Sequence, residues 1–143
     1  MKELDLKEYL RNNNLKYTKT RQAIFDFLKR TSSHPTAEDV FSEVKRKLPG
    51  ISYATVYNVL NLFSQQGLIK VVSTLEDKKH FDGNLSPHLH LICLECGKIE
   101  DLPYEDQSLV RKLQETGWLF RDTAFNIYGV CPSCRKKKSI RFH

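Results

Sequence analysis

Apolar residues recur at helical intervals through the first half of the chain. Leu6, Tyr9 and Leu10 mark one side of a short amphipathic helix. A second helix follows, with Thr18 as its expected N-cap and Ile24, Phe25, Phe27 and Leu28 as its apolar side. His34-Pro35-Thr36 interrupts the pattern. Thr36, with Asp39 three residues on, opens a third helix with Val40, Phe41, Val44 and Leu48 facing inward, and Pro49-Gly50 stops it. Ser52 caps a fourth helix in which Val56, Val59, Leu60 and Phe63 share one side, and Gly67 ends it. The spacing then becomes strand-like. Residues 68–73 and 79–82 flank the turn-like Glu76-Asp77 and predict a β-hairpin.

Gly83-Asn84-Leu85-Ser86-Pro87 has the composition of a linker. Beyond it the pattern predicts strands over 88–93 and 98–102, then a helix over 105–116 with Leu109, Val110 and Leu113 on one side. Further strands are expected over 118–120 and 124–130, and Lys136-Lys137-Lys138 reads as a solvated basic end. Such an order, helices and a hairpin first and a mixed small unit second, predicts an α+β protein in two parts.

Composition narrows the classes. In 143 residues, apolar side chains make up 40% and charged ones 28%, an ordinary folded balance. No apolar run approaches the ~20 residues that span a bilayer. The opening Met1-Lys2-Glu3-Leu4-Asp5 carries acids and no signal-peptide core, so a cytoplasmic protein with no membrane attachment is expected. The net charge of +6 favours an anionic partner.

The four cysteines change the picture most. Cys93-x2-Cys96 and Cys131-x2-Cys134 are separated by 34 residues. Two such knuckles can supply four thiolates to a tetrahedral Zn²⁺, which would be structural. The other chemistry open to them is thiol–disulfide exchange, against which stands the lack of a thioredoxin-like βαβ context. His88-Leu89-His90 is a second signal, since residues i and i+2 of a strand share a face. A hairpin closed by Cys93 and Cys96 sets Asp101 opposite His88, so two imidazoles and a carboxylate converge. They read either as metal ligands or as exposed strand residues. A zinc-dependent hydrolase would need a general base beside them, and none is evident.

The fourth helix is the third signal. With its apolar side facing inward, Tyr53, Ala54, Thr55, Tyr57, Asn58 and Asn61 are left outward. Asn can bond adenine in a bidentate manner, while Ala and Tyr can contact thymine methyls. Lys16, Lys19, Arg21, Lys70, Lys78 and Lys79 are candidates for phosphate contacts. Three helices and a wing in this order describe a winged-helix double-stranded-DNA reader, with an ordinary polar surface as the alternative.

These residues together resemble the ferric uptake regulator (Fur) family, most closely its peroxide-sensing PerR branch. The likeness is carried by His34-Pro-Thr-Ala-Glu-Asp, Ser52-Tyr-Ala-Thr-Val-Tyr-Asn, Phe81-Asp82, His88-x-His90-x2-Cys93-x2-Cys96-Gly-Lys-Ile-x-Asp101 and Tyr128-Gly-Val-Cys131-x2-Cys134. It implies a homodimeric, metal-dependent repressor and not an enzyme. It implies a winged-helix DNA-binding domain over 1–82, a hinge over 83–87 and a small α/β dimerisation domain over 88–143. His34, Asp82, His88, His90 and Asp101 would bind a regulatory Fe²⁺ or Mn²⁺. Peroxide reacting at bound iron would oxidise His34 or His88 and release an A/T-rich inverted-repeat operator. Asp82 and Asp101, where iron sensors usually carry Glu, point to peroxide rather than to an iron- or zinc-responsive relative. So do Ser86 and Val130, where iron sensors often have further histidines, and Asn58, where they often have Arg or Lys. Lys19 departs from the proline that many relatives carry before the second helix.

Overall fold

The structure, a computed structural model, describes residues 4–74, 78–86, 88–104, 106–120 and 124–138. It divides into two compact units, Met1–Leu85 and Ser86–His143.

The first unit holds α1 (Leu6–Asn12), α2 (Lys19–Arg30), α3 (Ala37–Lys47), α4 (Tyr53–Gln65) and an antiparallel hairpin, β1 (Lys70–Ser73) with β2 (Lys79–Asp82). Local chemistry sets the helix starts. Thr18, Thr36 and Ser52 each accept a backbone N–H from the third residue on, and Thr36 with Asp39 forms a reciprocal capping box. Leu6, Leu10, Ile24, Leu28, Val40, Val56, Leu60 and Phe63 are buried together, and Phe25 meets Phe63 edge to face. Phe81 carries the hairpin into this core. The turn expected at Glu76-Asp77 lies outside the described residues.

The second unit is a three-stranded sheet of order β4-β3-β5, with β3 (His88–Cys93) between β4 (Ile99–Pro103) and β5 (Asn126–Gly129). Among the described residues it also has two helices, α5 (Gln107–Glu115) and α6 (Pro132–Lys138). Strand β3 runs antiparallel to β4 and parallel to β5. Helix α5 starts at Gln107 because the Asp106 side chain accepts from the backbone N–H groups of Ser108 and Leu109.

Two expectations are corrected. The β3–β4 register is shifted by two residues, so Asp101 pairs with His90 and Pro103 with His88. Four residues, not two, fill the knuckle turn. Lys98 closes it through its carbonyl to Cys93 N–H, and Gly97 enters the left-handed region (φ +76°) to donate to the Cys93 carbonyl. An even shift keeps Asp101 on the histidine face. Residues 118–120 form no strand: they pair with none of β3, β4 and β5, and Trp118 and Leu119 stand exposed rather than packed on the sheet. The basic end keeps Lys136 and Lys137 exposed, as expected, and is helical to Lys138, with Pro132 at its first position, where the missing N–H costs nothing.

Candidate metal centres and nucleic-acid interface

Three pieces of the second unit bring the cysteines together. Cys93 ends β3, Cys96 sits in the knuckle turn, and Cys131 and Cys134 flank the start of α6. Parallel pairing of β3 with β5 extends to Leu94 N–H donating to the Gly129 carbonyl at 2.7 Å, which brings Cys131 alongside Cys93. All four sulfurs lie within 4.8 Å of one another, and those of Cys96 and Cys131 are 3.9 Å apart. Thiolates bonded at about 2.3 Å to a tetrahedral zinc are spaced by about 3.8 Å. None of the four is in a disulfide. The backbone N–H of Cys131 donates to the Cys93 sulfur and pulls that thiol down to about 6. Cys134 is pushed the other way, to about 12, chiefly by its hydrogen bond with Cys131. Sulfurs this close cannot all be anionic without a cation among them, and a dication removes that conflict.

A second donor set lies on β3 and β4. The Nε2 atoms of His88 and His90 are 3.1 Å apart, and Asp101 Oδ1 is 3.5 Å from the first and 3.4 Å from the second. Three atoms at such mutual distances can meet on one ion, since neighbouring ligands bonded at about 2.1 Å stand about 3.0 Å apart around an octahedral ion and about 3.4 Å apart around a tetrahedral one. His88 Nδ1 lies 2.5 Å from the Ser86 carbonyl oxygen. A carbonyl only accepts, so Nδ1 carries a proton, and the neutral ring then offers its lone pair at Nε2.

The first unit holds a donor pair of its own. His34, in the loop before α3, and Asp82, at the end of β2, are both buried, with His34 Nε2 3.7 Å from Asp82 Oδ2. Asp82 Oδ1 accepts the Asn84 N–H at 2.8 Å, which fixes the carboxylate. Lys29 Nζ donates to the neighbouring Gly83 carbonyl at 2.6 Å. Burial lowers the Lys29 pKa, opposed by the nearby Asp82 charge.

Helix α4 exposes Tyr53, Ala54, Thr55, Tyr57 and Asn58. Three of these have structural ties. Thr55 Oγ1 lies 2.8 Å from the capping Ser52 hydroxyl. Tyr53 donates its hydroxyl to Glu38 Oε1 at 3.2 Å and lies between Phe41, edge-on, and Tyr57, stacked. Partial burial raises the Tyr53 pKa, with the Glu38 charge adding to it. Lys16, Lys19, Lys78 and Lys79 are exposed, while Lys70 is half-buried on β1. Arg21 turns one guanidinium N–H back to the Lys16 carbonyl. Glu38 and His80 are two site neighbours that sequence spacing does not reveal. Glu38 reads as a first-turn helix acid and His80 as a strand residue, and only contacts between elements give them more to do.

Residues 12–128 match the model of the ferric uptake regulator family. The chain belongs to the Fur family. It is therefore a transcription regulator and not an enzyme, which removes the hydrolase alternative. This Fur-family chain is similar to the peroxide operon regulator of Bacillus subtilis, with 37% identity over 92% of each chain. Among solved structures it is similar to the Campylobacter jejuni peroxide stress regulator, at 32% identity and a TM-score of 0.72, covering 92% of this chain and 100% of that one. It is also similar to a ferric uptake regulator from Francisella tularensis solved with iron, at 31% identity and a TM-score of 0.69, covering 92% of this chain and 99% of that one. No helix among the described residues is long and apolar enough to cross a membrane.

Proposed function

We propose that this Fur-family regulator is a dimeric, cytoplasmic repressor that senses hydrogen peroxide through a regulatory metal site. Residues 1–82 bind DNA, 83–87 act as a hinge, and 88–143 dimerise around a structural zinc held by Cys93, Cys96, Cys131 and Cys134. Five ligands form the regulatory site: His88, His90 and Asp101 as one face, with His34 and Asp82 completing it. Three nitrogens and two carboxylate oxygens suit Fe²⁺ or Mn²⁺, and five protein ligands would leave such an ion an open position for peroxide. The observation that carries this reading is the three-atom face of His88, His90 and Asp101, with the His88 tautomer fixed by Ser86. The peroxide-regulator names of the relatives support it.

Operator contacts come from Tyr53, Ala54, Thr55, Tyr57 and Asn58 in an A/T-rich inverted repeat, with Lys16, Arg21 and Lys70 on phosphates. Dimerisation is supported by the apolar surface of the second unit. Trp118, Leu119, Phe125 and Ile127 are exposed in the single chain, and α5 buries none of its residues there.

Iron, when bound, supplies one-electron reduction of peroxide. Overall, one peroxide oxygen ends on a ring carbon of His34 or His88 and the other leaves as water. The oxidised ring no longer ligates, the two units lose their common metal, and the DNA-binding arrangement is no longer favoured. The ligand is consumed, so each molecule responds once.

The test is brief peroxide treatment of zinc-filled protein carrying either Fe²⁺ or Mn²⁺ on operator DNA. The iron form should leave DNA and gain one oxygen atom, mapped by peptide mass spectrometry to His34 or His88. The manganese form should do neither. Release with both histidines unmodified would move the switch to the cysteines. Release by metal removal but not by peroxide would make the protein an iron- or zinc-responsive repressor.

A further inference from the structure

We propose that His80, a residue outside both ligand sets, is a positioning residue for His34. This rests on the regulatory-site reading above and adds to it a fixed link between the wing and one ligand.

His34 has φ +53°, a left-handed backbone that side-chain-bearing residues rarely adopt. It also precedes Pro35, which ordinarily drives the preceding residue toward extended backbone. Such a conformation persists only where its surroundings determine it strongly. Three successive residues of β2 do so. His80 Nδ1 lies 2.6 Å from the His34 carbonyl oxygen. Phe81 N–H donates to the Pro35 carbonyl at 2.8 Å. The Asp82 carboxylate faces the His34 ring at 3.7 Å. Because a carbonyl only accepts, His80 Nδ1 carries the proton and donates it.

The strand itself is firmly held. Phe81 is 2% exposed in the core, and His80 and Asp82 pair with Val72 and Lys70 of β1. His80 and Asp82 share a strand face, being two residues apart. One side chain of this strand therefore fixes the backbone of a ligand while the next supplies a ligand. The His80 bond confines the His34 Cα, and with it the direction from which Nε2 approaches the metal. Without that bond the loop samples other backbone conformations, and the apparent metal affinity falls by the fraction that remains competent.

Leu and Asn have nearly the same shape, but only Asn can donate to a carbonyl. In zinc-filled full-length protein, His80→Leu should weaken Mn²⁺ binding by about tenfold, the lower end of what lost ligand-orienting bonds typically cost. The visible spectrum of Co²⁺ in the regulatory site should shift toward that of His34→Ala. His80→Asn should restore most of the affinity and the wild-type spectrum, which a purely stabilising role for the imidazole would not. Should His80→Leu fail to fold, His80→Ala carries the same expectation. A wild-type affinity and spectrum in whichever folds overturns the inference. His34→Ala separates the two levels. If metal-activated DNA binding survives it, the site reading itself fails and His80 has no ligand to position. If His34→Ala abolishes that binding while His80→Leu leaves Mn²⁺ affinity unchanged, the inference alone fails.

Discussion

Gly83 is where the packing of the first unit bears most directly on a metal ligand, and alanine there gives a sharp prediction. A Cβ at Gly83 would stand 2.5 Å from the Leu28 carbonyl oxygen and 2.8 Å from its carbon. Carbon–oxygen contacts ordinarily begin near ~3.3 Å, so something must move by about 0.8 Å. Leu28 is 1% exposed and lies in the body of α2, so the segment around residue 83 gives way. That segment carries Asp82, whose Oδ1 is held by Asn84 N–H, and the Gly83 carbonyl, held by Lys29. Overpacking of this kind costs about 1–3 kcal/mol. For a unit of this size each kcal/mol lowers the melting midpoint by roughly 4–8 °C. Differential scanning calorimetry and Mn²⁺ titration of zinc-filled protein read both effects, and Gly83→Ala should lower the midpoint and the affinity together. Gly50→Ala is the control, because a Cβ there meets nothing within 4 Å. It should change stability by less than about 0.5 kcal/mol. Midpoint and affinity for Gly83→Ala as unchanged as those for Gly50→Ala would refute the argument that close packing on Leu28 sets Asp82.

Other substitutions test the remaining parts. Cys96→Ser should release zinc and destabilise the dimer, because three sulfurs cannot close the tetrahedron; elemental analysis and ultracentrifugation check it, and a folded, zinc-free dimer would contradict it. Asn58→Ala should lose about 1–3 kcal/mol of discrimination at one base position per half-site, while Lys70→Ala weakens specific and random DNA alike, as gel-shift series would read. Glu38→Ala should tighten binding to random DNA by removing an anion near the phosphates and lower the specific-to-random ratio by freeing the Tyr53 hydroxyl; in a Tyr53→Phe background the second effect should vanish. Asp101→Glu should keep metal-activated DNA binding and lose most peroxide-driven release, because a side chain one methylene longer meets the ion differently from a strand position fixed opposite His90.

Much of the first unit was legible because its determinants are local. Thr18, Thr36 and Ser52 cap helices through bonds to residues three ahead, and the apolar positions that follow them define one buried face each. The cysteine spacing was equally plain: two pairs with two residues between their members state a four-sulfur chemistry before any fold is known. The face shared by His88 and His90 followed from the two-residue period of a strand, and Asp101 stays on it because its register moved by an even number of residues.

What the sequence left open depends on how the chain turns and what comes to lie beside it. The register of Asp101 against the histidines is set by the length of the Cys93–Lys98 turn, where Gly97 takes a left-handed backbone, and turn length is decided by hydrogen bonds rather than by residue spacing. The parallel pairing of β3 with β5, which delivers Cys131 to Cys93, joins strands more than thirty residues apart and leaves no periodic signal. His80 and Glu38 are the clearest cases. Each sits in an unremarkable local setting, and each has a role only because a loop or a helix from elsewhere presents a carbonyl or a phenol within 2.6 Å of one and 3.2 Å of the other. Ligand types, caps and periodic faces are properties of neighbouring residues along the chain, so sequence determines them. The contacts that aim those ligands are made between segments distant in sequence, and tertiary packing alone decides them.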